Sequence, residues 1–149
     1  MEVAKLCTLD TVCCTRDETV QGAALLMRKH HVGDLVVVDE PDGERSPVGI
    51  VTDRDIVVSV IALGLDPLGL QVGDIMSDDL LVADLGDDVY ATIERMRLRG
   101  IRRVPVVGEG GRLAGIVSAD DLLGFLAEEM EELARISPHQ QSRERRARQ

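Results

Sequence analysis

Apolar positions along the chain recur in one order, twice. A short apolar stretch, Val12-Cys13-Cys14, leads to Val20, Ala24 and Met27, whose spacing marks one face of a helix. A strand-like run, Leu35–Val38, comes next. A turn rich in Pro, Gly, Asp and Glu then separates it from a second strand, Val48–Val51, and the pair reads as a hairpin. A second helix is expected after Thr52; Ile56, Val57, Val58, Val60, Ile61 and Leu63 make it apolar nearly all round. The same order returns as Leu80–Ala83, a helical face of Val89, Ile93 and Met96, and strands Val104–Val107 and Ala114–Val117. The helix after Ser118 carries Leu122, Phe125, Leu126, Met130, Leu133 and Ile136 on one stripe and glutamates elsewhere, and Pro138 is expected to close it.

The two passages are copies. In the register that lays Val3 on Val72, Val20 meets Val89, Met27 meets Met96, Arg28 meets Arg97 and Val37-Val38 meets Val106-Val107. After one length change in the hairpin turn, Gly49-Ile50-Val51-Thr52 meets Gly115-Ile116-Val117-Ser118 and Asp55 meets Asp121. A constant register with a single indel in a turn is the mark of an internal repeat. Thr15 and Asp84 are the expected N-caps of the first helix in each copy, with Thr15-Arg16-Asp17-Glu18 as a capping box. The fold class is α/β, in the α+β sense: two βαββα repeats, with small sheets flanked by helices. Repeat 1 with its leader is assigned to 1–65, a linker to 66–71, repeat 2 to 72–136, and a polar, basic tail to 137–149. The tail holds four Arg against one Glu and is expected to be disordered and solvated.

Composition narrows the function. In 149 residues there are one Tyr, one Phe and no Trp, so the stacking platforms of single-strand nucleic-acid binders are missing. A net charge of −10 also disfavours a phosphate-backbone partner. The longest apolar stretch, Ile56–Leu65, is broken by Ser59 and Gly64 and is too short for a bilayer span. Three cysteines without regular spacing and no basic-then-apolar leader at the N-terminus point to a cytoplasmic protein.

Each copy ends in Gly-apolar-x-Thr/Ser-x-x-Asp, as Gly49-Ile50-Val51-Thr52-Asp53-Arg54-Asp55 and Gly115-Ile116-Val117-Ser118-Ala119-Asp120-Asp121. With the leaders Val3–Cys7 and Val72–Met76 and the strand Arg103–Val107, the chain from about 3 to 136 resembles the tandem cystathionine-β-synthase (CBS) domain pair, or Bateman module. The resemblance implies a pseudo-two-fold pair that dimerises and binds adenosyl compounds such as AMP, ADP, ATP, NAD or S-adenosylmethionine in its clefts. It implies no required cofactor, a sensor or regulatory role, and Thr15, Val32, Thr52, Arg54, Asp55, Ile101, Arg103, Ser118 and Asp121 as the nucleotide-binding residues.

The residue types allow that chemistry. Gly49 and Gly115 permit close approach of a ligand or of another backbone. Thr52 and Ser118 stand where a strand gives way to a helix start, where hydroxyl and free amides converge on an anion. Asp55 and Asp121, one turn on, can accept the two hydroxyls of a ribose, and Val32, Leu35, Ile101 and Val104 can line a slot for the base. A Thr or Ser followed three residues later by Asp is also an ordinary capping box that needs no ligand. The copies differ: Arg54 can reach a phosphate in the first cleft, whereas Asp120 weakens an anion site in the second unless Arg102 or Arg103 compensates. The first cleft is therefore expected to prefer phosphorylated ligands. The second is expected to bind more weakly, or to suit a cationic ligand such as S-adenosylmethionine.

The apolar second helices, Ile56–Leu63 and Leu122–Leu133, are the expected homodimer surface, because so small a domain cannot cover them alone. A ligand-free dimer that docks on a partner protein is the alternative. Cys13-Cys14 and Cys7 fall on plain core positions of the other copy, His30-His31 closes a helix, and His139 stands apart in the tail, so neither metal nor redox chemistry is read there. No nucleophile elbow, Walker loop or Cys/His pair is present, and the chain is not read as an enzyme.

Overall fold

The computed structural model describes residues 1–40 and 43–148; Pro41 and Asp42 of the expected turn and Gln149 of the tail lie outside the described residues. Repeat 1 runs β1 (Cys13–Cys14), α1 (Val20–His30), β2 (Asp34–Asp39), β3 (Ser46–Thr52) and α2 (Asp53–Ile56), which loosens into a π-helical turn over Val57–Ile61. Repeat 2 runs α3 (Val72–Ile75), β4 (Ala83–Asp84), α4 (Val89–Arg99), β5 (Arg103–Val107), β6 (Leu113–Ser118) and α5 (Ala119–Ala134). Each repeat holds a three-stranded sheet, ordered β1-β2-β3 and β4-β5-β6. The short first strand is parallel to the central one, and the hairpin is antiparallel with a register shift at Val37/Val38 and again at Val106/Val107.

The central strands are buried on both faces, which is why Leu35–Val38 and Val104–Val107 read as continuous apolar runs rather than alternating ones. The two cores do not follow the division of the chain. Val3, from the N-terminal leader, is fully buried in the core of repeat 2, and Val72 is fully buried in the core of repeat 1. The amides of Val3 and Ala4 donate to the carbonyls of Asp87 and Leu85, and Val72 donates to Glu18. Each leader thus completes the other repeat. Gly49 and Gly115 explain the fit: a Cβ at Gly49 would stand 2.7 Å from the Ser77 carbonyl oxygen, and one at Gly115 would stand 2.6 Å from that of Thr8. Of the two uses expected for these glycines, the structure realises the close approach of another backbone.

Several local expectations need correction. The N-caps are Thr19 and Asp88, not Thr15 and Asp84. Thr19 Oγ1 accepts from the Gly22 amide at 2.9 Å, and Asp88 Oδ2 accepts from Tyr90 and Ala91 at 3.1 and 3.2 Å. Thr15 sits one turn earlier, where its carbonyl accepts from Glu18. The buried positions of α1 and α4 are Val20, Ala23 and Met27, and Val89, Thr92 and Met96; Ala24 and Ile93 are only half-buried. Buried Thr92 is satisfied locally, its hydroxyl donating to the Asp88 carbonyl at 3.0 Å. Pro138 does not end the second helix of repeat 2. That helix stops at Ala134, and after Arg135 the tail continues as α6 (Ile136–Ala147), fully exposed and helical rather than disordered. Proline is tolerated there because the first helical turn needs no amide donor. Among the described residues no helix is long and apolar enough to cross a membrane.

The exchange of leaders sets a cross-wise stability pattern. Val3→Ala is expected to cost about 2 kcal/mol and to lower hydrogen-exchange protection in β4–β6 first, whereas Val72→Ala lowers it in β1–β3 first; loss confined to each residue's own repeat would refute the exchange. His31, the C-cap of α1, holds the left-handed conformation at φ 54° where the other copy has Gly100 at φ 64°. His31→Gly is expected to raise stability by about 0.5–1 kcal/mol in chemical denaturation, because glycine pays little for that conformation.

Candidate ligand clefts between the repeats

Two clefts open between the repeats, each built from both. In the first, Ile50, Thr52, Arg54 and Asp55 at the β3–α2 junction face Ser77, Asp79, Leu80, Leu81 and Gly100–Arg103 of repeat 2 around a cavity of about 370 Å³. In the second, Ile116, Ser118 and Asp121 at the β6–α5 junction face Thr8, Asp10, Thr11, Val12, Val32 and Asp34 around about 220 Å³, with Arg103 on its wall as well. The repeat register maps one cleft onto the other: Thr52 on Ser118, Asp55 on Asp121, Val32 on Ile101, Thr8 on Ser77, Asp10 on Asp79 and Asp34 on Arg103.

Backbone bridges hold both clefts in shape. Thr8 and Ile116 exchange amide–carbonyl bonds of 2.8 and 3.0 Å, and Ile50 and Ser77 exchange bonds of 3.1 and 3.0 Å. Beside each bridge stands a capping box. The Thr52 amide donates to Asp55 Oδ2 at 2.9 Å while Thr52 Oγ1 accepts from the Asp55 amide at 3.1 Å. In the second copy the Ser118 amide donates to Asp121 Oδ2 at 2.8 Å, the Ser118 hydroxyl donates to the same oxygen at 2.6 Å, and Ser118 Oγ accepts from the Asp121 amide at 3.1 Å. The capping-box reading of the motif is realised in both copies. Oδ2 of each carboxylate is committed to the box, and Oδ1 has no protein donor among the described residues.

Of the residues expected at the site, Thr52, Arg54, Asp55 and Ile101 line the first cleft, Val32, Ser118 and Asp121 line the second, and Arg103 lines both. Thr15 lines neither. Leu35 and Val104 are fully buried core residues, so they form no base slot. Arg102 does not serve the second cleft; it lines the first and pairs with Asp120 at 3.1 Å. Cleft-lining residues that sequence reasoning did not single out include Thr8, Asp10, Thr11, Asp34, Ser77 and Asp79. Carrying Arg103 through the repeat register would have found Asp34.

The two clefts differ in charge more than in shape. Around the first, Arg54 and Arg103 face Asp55, while Asp79 is paired with Arg99 at 2.7 Å and Arg102 with Asp120. Around the second, among the described residues, Asp10, Asp34 and Asp121 meet one cation, Arg103, whose Nε lies 2.8 Å from Asp34 Oδ1. Burial pushes the Asp34 carboxyl above its ordinary value; Arg103 pulls it down and Asp53 pushes it up again.

The cysteines lie elsewhere. Burial pushes the Cys14 thiol up to about 12, and Cys7 and Cys13 are raised by the same cause, which leaves little nucleophilic thiolate at neutral pH. Among the described residues no three His, Cys, Asp or Glu side chains gather as a group able to hold a metal ion.

Comparison with known proteins agrees with this architecture. The CBS domain family profile matches residues 3–61 and 72–128. Hypoxic response protein 1 of Mycobacterium tuberculosis is 35% identical over 116 residues, which is 78% of each chain. The uncharacterised protein MK0525 of Methanopyrus kandleri is 34% identical over 123 residues, 83% of this chain, and this chain spans 61% of its length. A crystal structure of hypoxic response protein I with two coordinated zinc ions superposes with a TM-score of 0.73 at 31% identity, covering 84% of this chain and 98% of that one. The CBS domain protein PAE2072 from Pyrobaculum aerophilum, complexed with AMP, gives a TM-score of 0.73 at 30% identity over 82% of this chain and 90% of that one. The CBS domain pair of protein MJ0100, in complex with 5′-methylthioadenosine and S-adenosyl-L-methionine, gives 0.73 at 26% over 87% and 98%. With two profile matches that fill most of its length, a shared fold and two sheet-and-helix repeats in register, the chain belongs to the CBS domain family as a tandem pair.

Proposed function

We propose that the chain is a non-catalytic regulatory module that binds adenosyl ligands in the clefts between its repeats and passes occupancy on through the packing of a homodimer. The observation that carries the reading is the cleft lined by Thr52, Arg54, Asp55, Ile101 and Arg103, where an apolar wall, a carboxylate oxygen without a protein partner and two guanidinium groups converge from both repeats. Support comes from the relatives whose structures hold AMP or S-adenosylmethionine. A ribose diol would bond Asp55 Oδ1, the base would rest on Ile101, and Arg54 and Arg103 would meet a phosphate. In the second cleft Ser118, Asp121 and Val32 offer the same grip among carboxylates, which suits a ligand without phosphate and with positive charge. Because each cleft is walled by both repeats, a ligand there biases their relative tilt.

Dimer packing is read from an unmatched surface. The π-helical turn leaves Val57, Val58 and Ile61 at 57%, 51% and 57% exposure, and Leu123, Met130 and Leu133 are exposed along α5. Exposed apolar side chains gathered on the second helix of each repeat are what an interaction surface offers. The partner we propose for it is a second copy of the chain.

Thermal-shift measurements with AMP, ATP, NAD and S-adenosylmethionine are expected to show stabilisation by at least one ligand, worth about 2.7 kcal/mol at a hundredfold excess over Kd. No shift with any of them would leave a ligand-free docking module as the better reading. By titration calorimetry Asp55→Asn, which keeps the cap acceptor, is expected to weaken AMP about tenfold to a hundredfold, as loss of a charge-assisted bond predicts. Asp121→Asn should weaken AMP far less, and equal losses would contradict the assignment of phosphorylated ligands to the first cleft. In sedimentation the wild type is expected to be dimeric and Ile61→Glu monomeric with unchanged circular dichroism; a monomeric wild type would remove the dimer from the proposal.

A further inference from the structure

Arg103 is a wall of both clefts, and its partner Asp34 belongs to the second alone. These two residues occupy the same position of the repeat, so the ion pair joins the strand starts of β2 and β5 across the pseudo-symmetry axis. The pair is unequal: the Asp34 side chain is 14% exposed and that of Arg103 36%. The guanidinium therefore has room to move, whereas the carboxylate is mostly enclosed. Besides Arg103, the charged groups around the second cleft are Asp10 and Asp121, with Asp53 close enough to act on Asp34; all are acidic.

A phosphate in the first cleft competes with Asp34 for Arg103. If Arg103 turns to the phosphate, the second cleft is left with carboxylates and no cation, so a second anion is repelled and a cation is attracted. A cation beside Asp34 in turn releases Arg103 to the first cleft, and by linkage the effect of each ligand on the other is equal. Resting on the adenosyl reading above, we infer that the Arg103–Asp34 pair is a shared charge that couples the clefts. An anionic adenosyl ligand in the first and a cationic one in the second strengthen each other, and two anionic ligands oppose each other.

The test uses the full chain and three probes: AMP, S-adenosylmethionine with its sulfonium charge, and 5′-methylthioadenosine, which keeps the adenosyl group without that charge. Saturating S-adenosylmethionine is expected to tighten AMP by about five- to thirtyfold in calorimetry, a span typical of coupling between sites, while 5′-methylthioadenosine leaves AMP affinity unchanged. In Arg103→Gln, with folding verified by circular dichroism, the ratio with and without S-adenosylmethionine is expected to fall to one. AMP and S-adenosylmethionine both binding wild type, but independently or in competition, would overturn the coupling and leave the adenosyl reading intact. Equal tightening by 5′-methylthioadenosine would overturn the charge mechanism. Absence of binding by all three would instead defeat the adenosyl reading, and the coupling with it.

Discussion

The molecule depends on two backbone bridges, Thr8 with Ile116 and Ile50 with Ser77, in which the leader of each repeat hydrogen-bonds to the last strand of the other. They require glycine beside them, because any side chain at Gly49 or Gly115 would meet a carbonyl oxygen well inside contact distance. The bridges place Ser77 and Thr8 next to Thr52 and Ser118, and so they create the clefts as well as joining the halves. Fully buried Val3 and Val72 add apolar burial to the same joints, roughly 1.5–3 kcal/mol for each side chain. Neither repeat has a complete core without the other's leader.

On that common frame the copies have diverged in charge and in their last helix. Position for position the clefts share a hydroxyl, a capping carboxylate and an aliphatic wall. The charge differences lie at Arg54, which falls on Asp120, and at one pair of equivalent residues, Asp34 and Arg103, which also form an ion pair with each other. The second helices differ in another way. After Ile56 repeat 1 takes a π-helical turn with Val60 inward and Val57, Val58 and Ile61 outward, whereas α5 remains a regular helix with Leu122 and Phe125 inward. The all-round apolar pattern of Ile56–Leu63 thus reflects one buried and one exposed apolar face.

Legibility in the sequence followed the range of the interactions involved. The repeat, the hairpins and the two capping boxes at Thr52 and Ser118 depend on residues close in sequence, and all were readable. The start of α1 was not, because it is set at long range. The Glu18 carbonyl accepts the Val72 amide, the Glu18 carboxylate takes the Thr19 amide at 3.0 Å, and the helix begins only after that contact. The leader exchange was invisible for the same reason, since periodicity reports that Val3 and Val72 are apolar but not which core takes them. The helix end was misplaced at Pro138, which reads as a stop inside a continuing helix but is harmless in the first turn of a new one, as α6 is after Arg135; the polar composition read as a disordered tail suits an exposed helix equally.

Magnitudes explain why the Arg103–Asp34 pair fits a ligand-responsive role better than a structural one. The Arg103 side chain is partly exposed, so water can take over part of its solvation when it moves. A guanidinium–phosphate contact is a charge-assisted bond worth about 1.5–3 kcal/mol, enough to draw Arg103 away from one carboxylate. What opposes the move is Asp34, which is mostly buried and is left without its counter-charge. That residual cost falls entirely within the second cleft, and a cation entering there cancels it. The geometry therefore confines the penalty for filling one cleft to the place where a ligand of opposite charge can relieve it, and a pair of identical clefts could not do this.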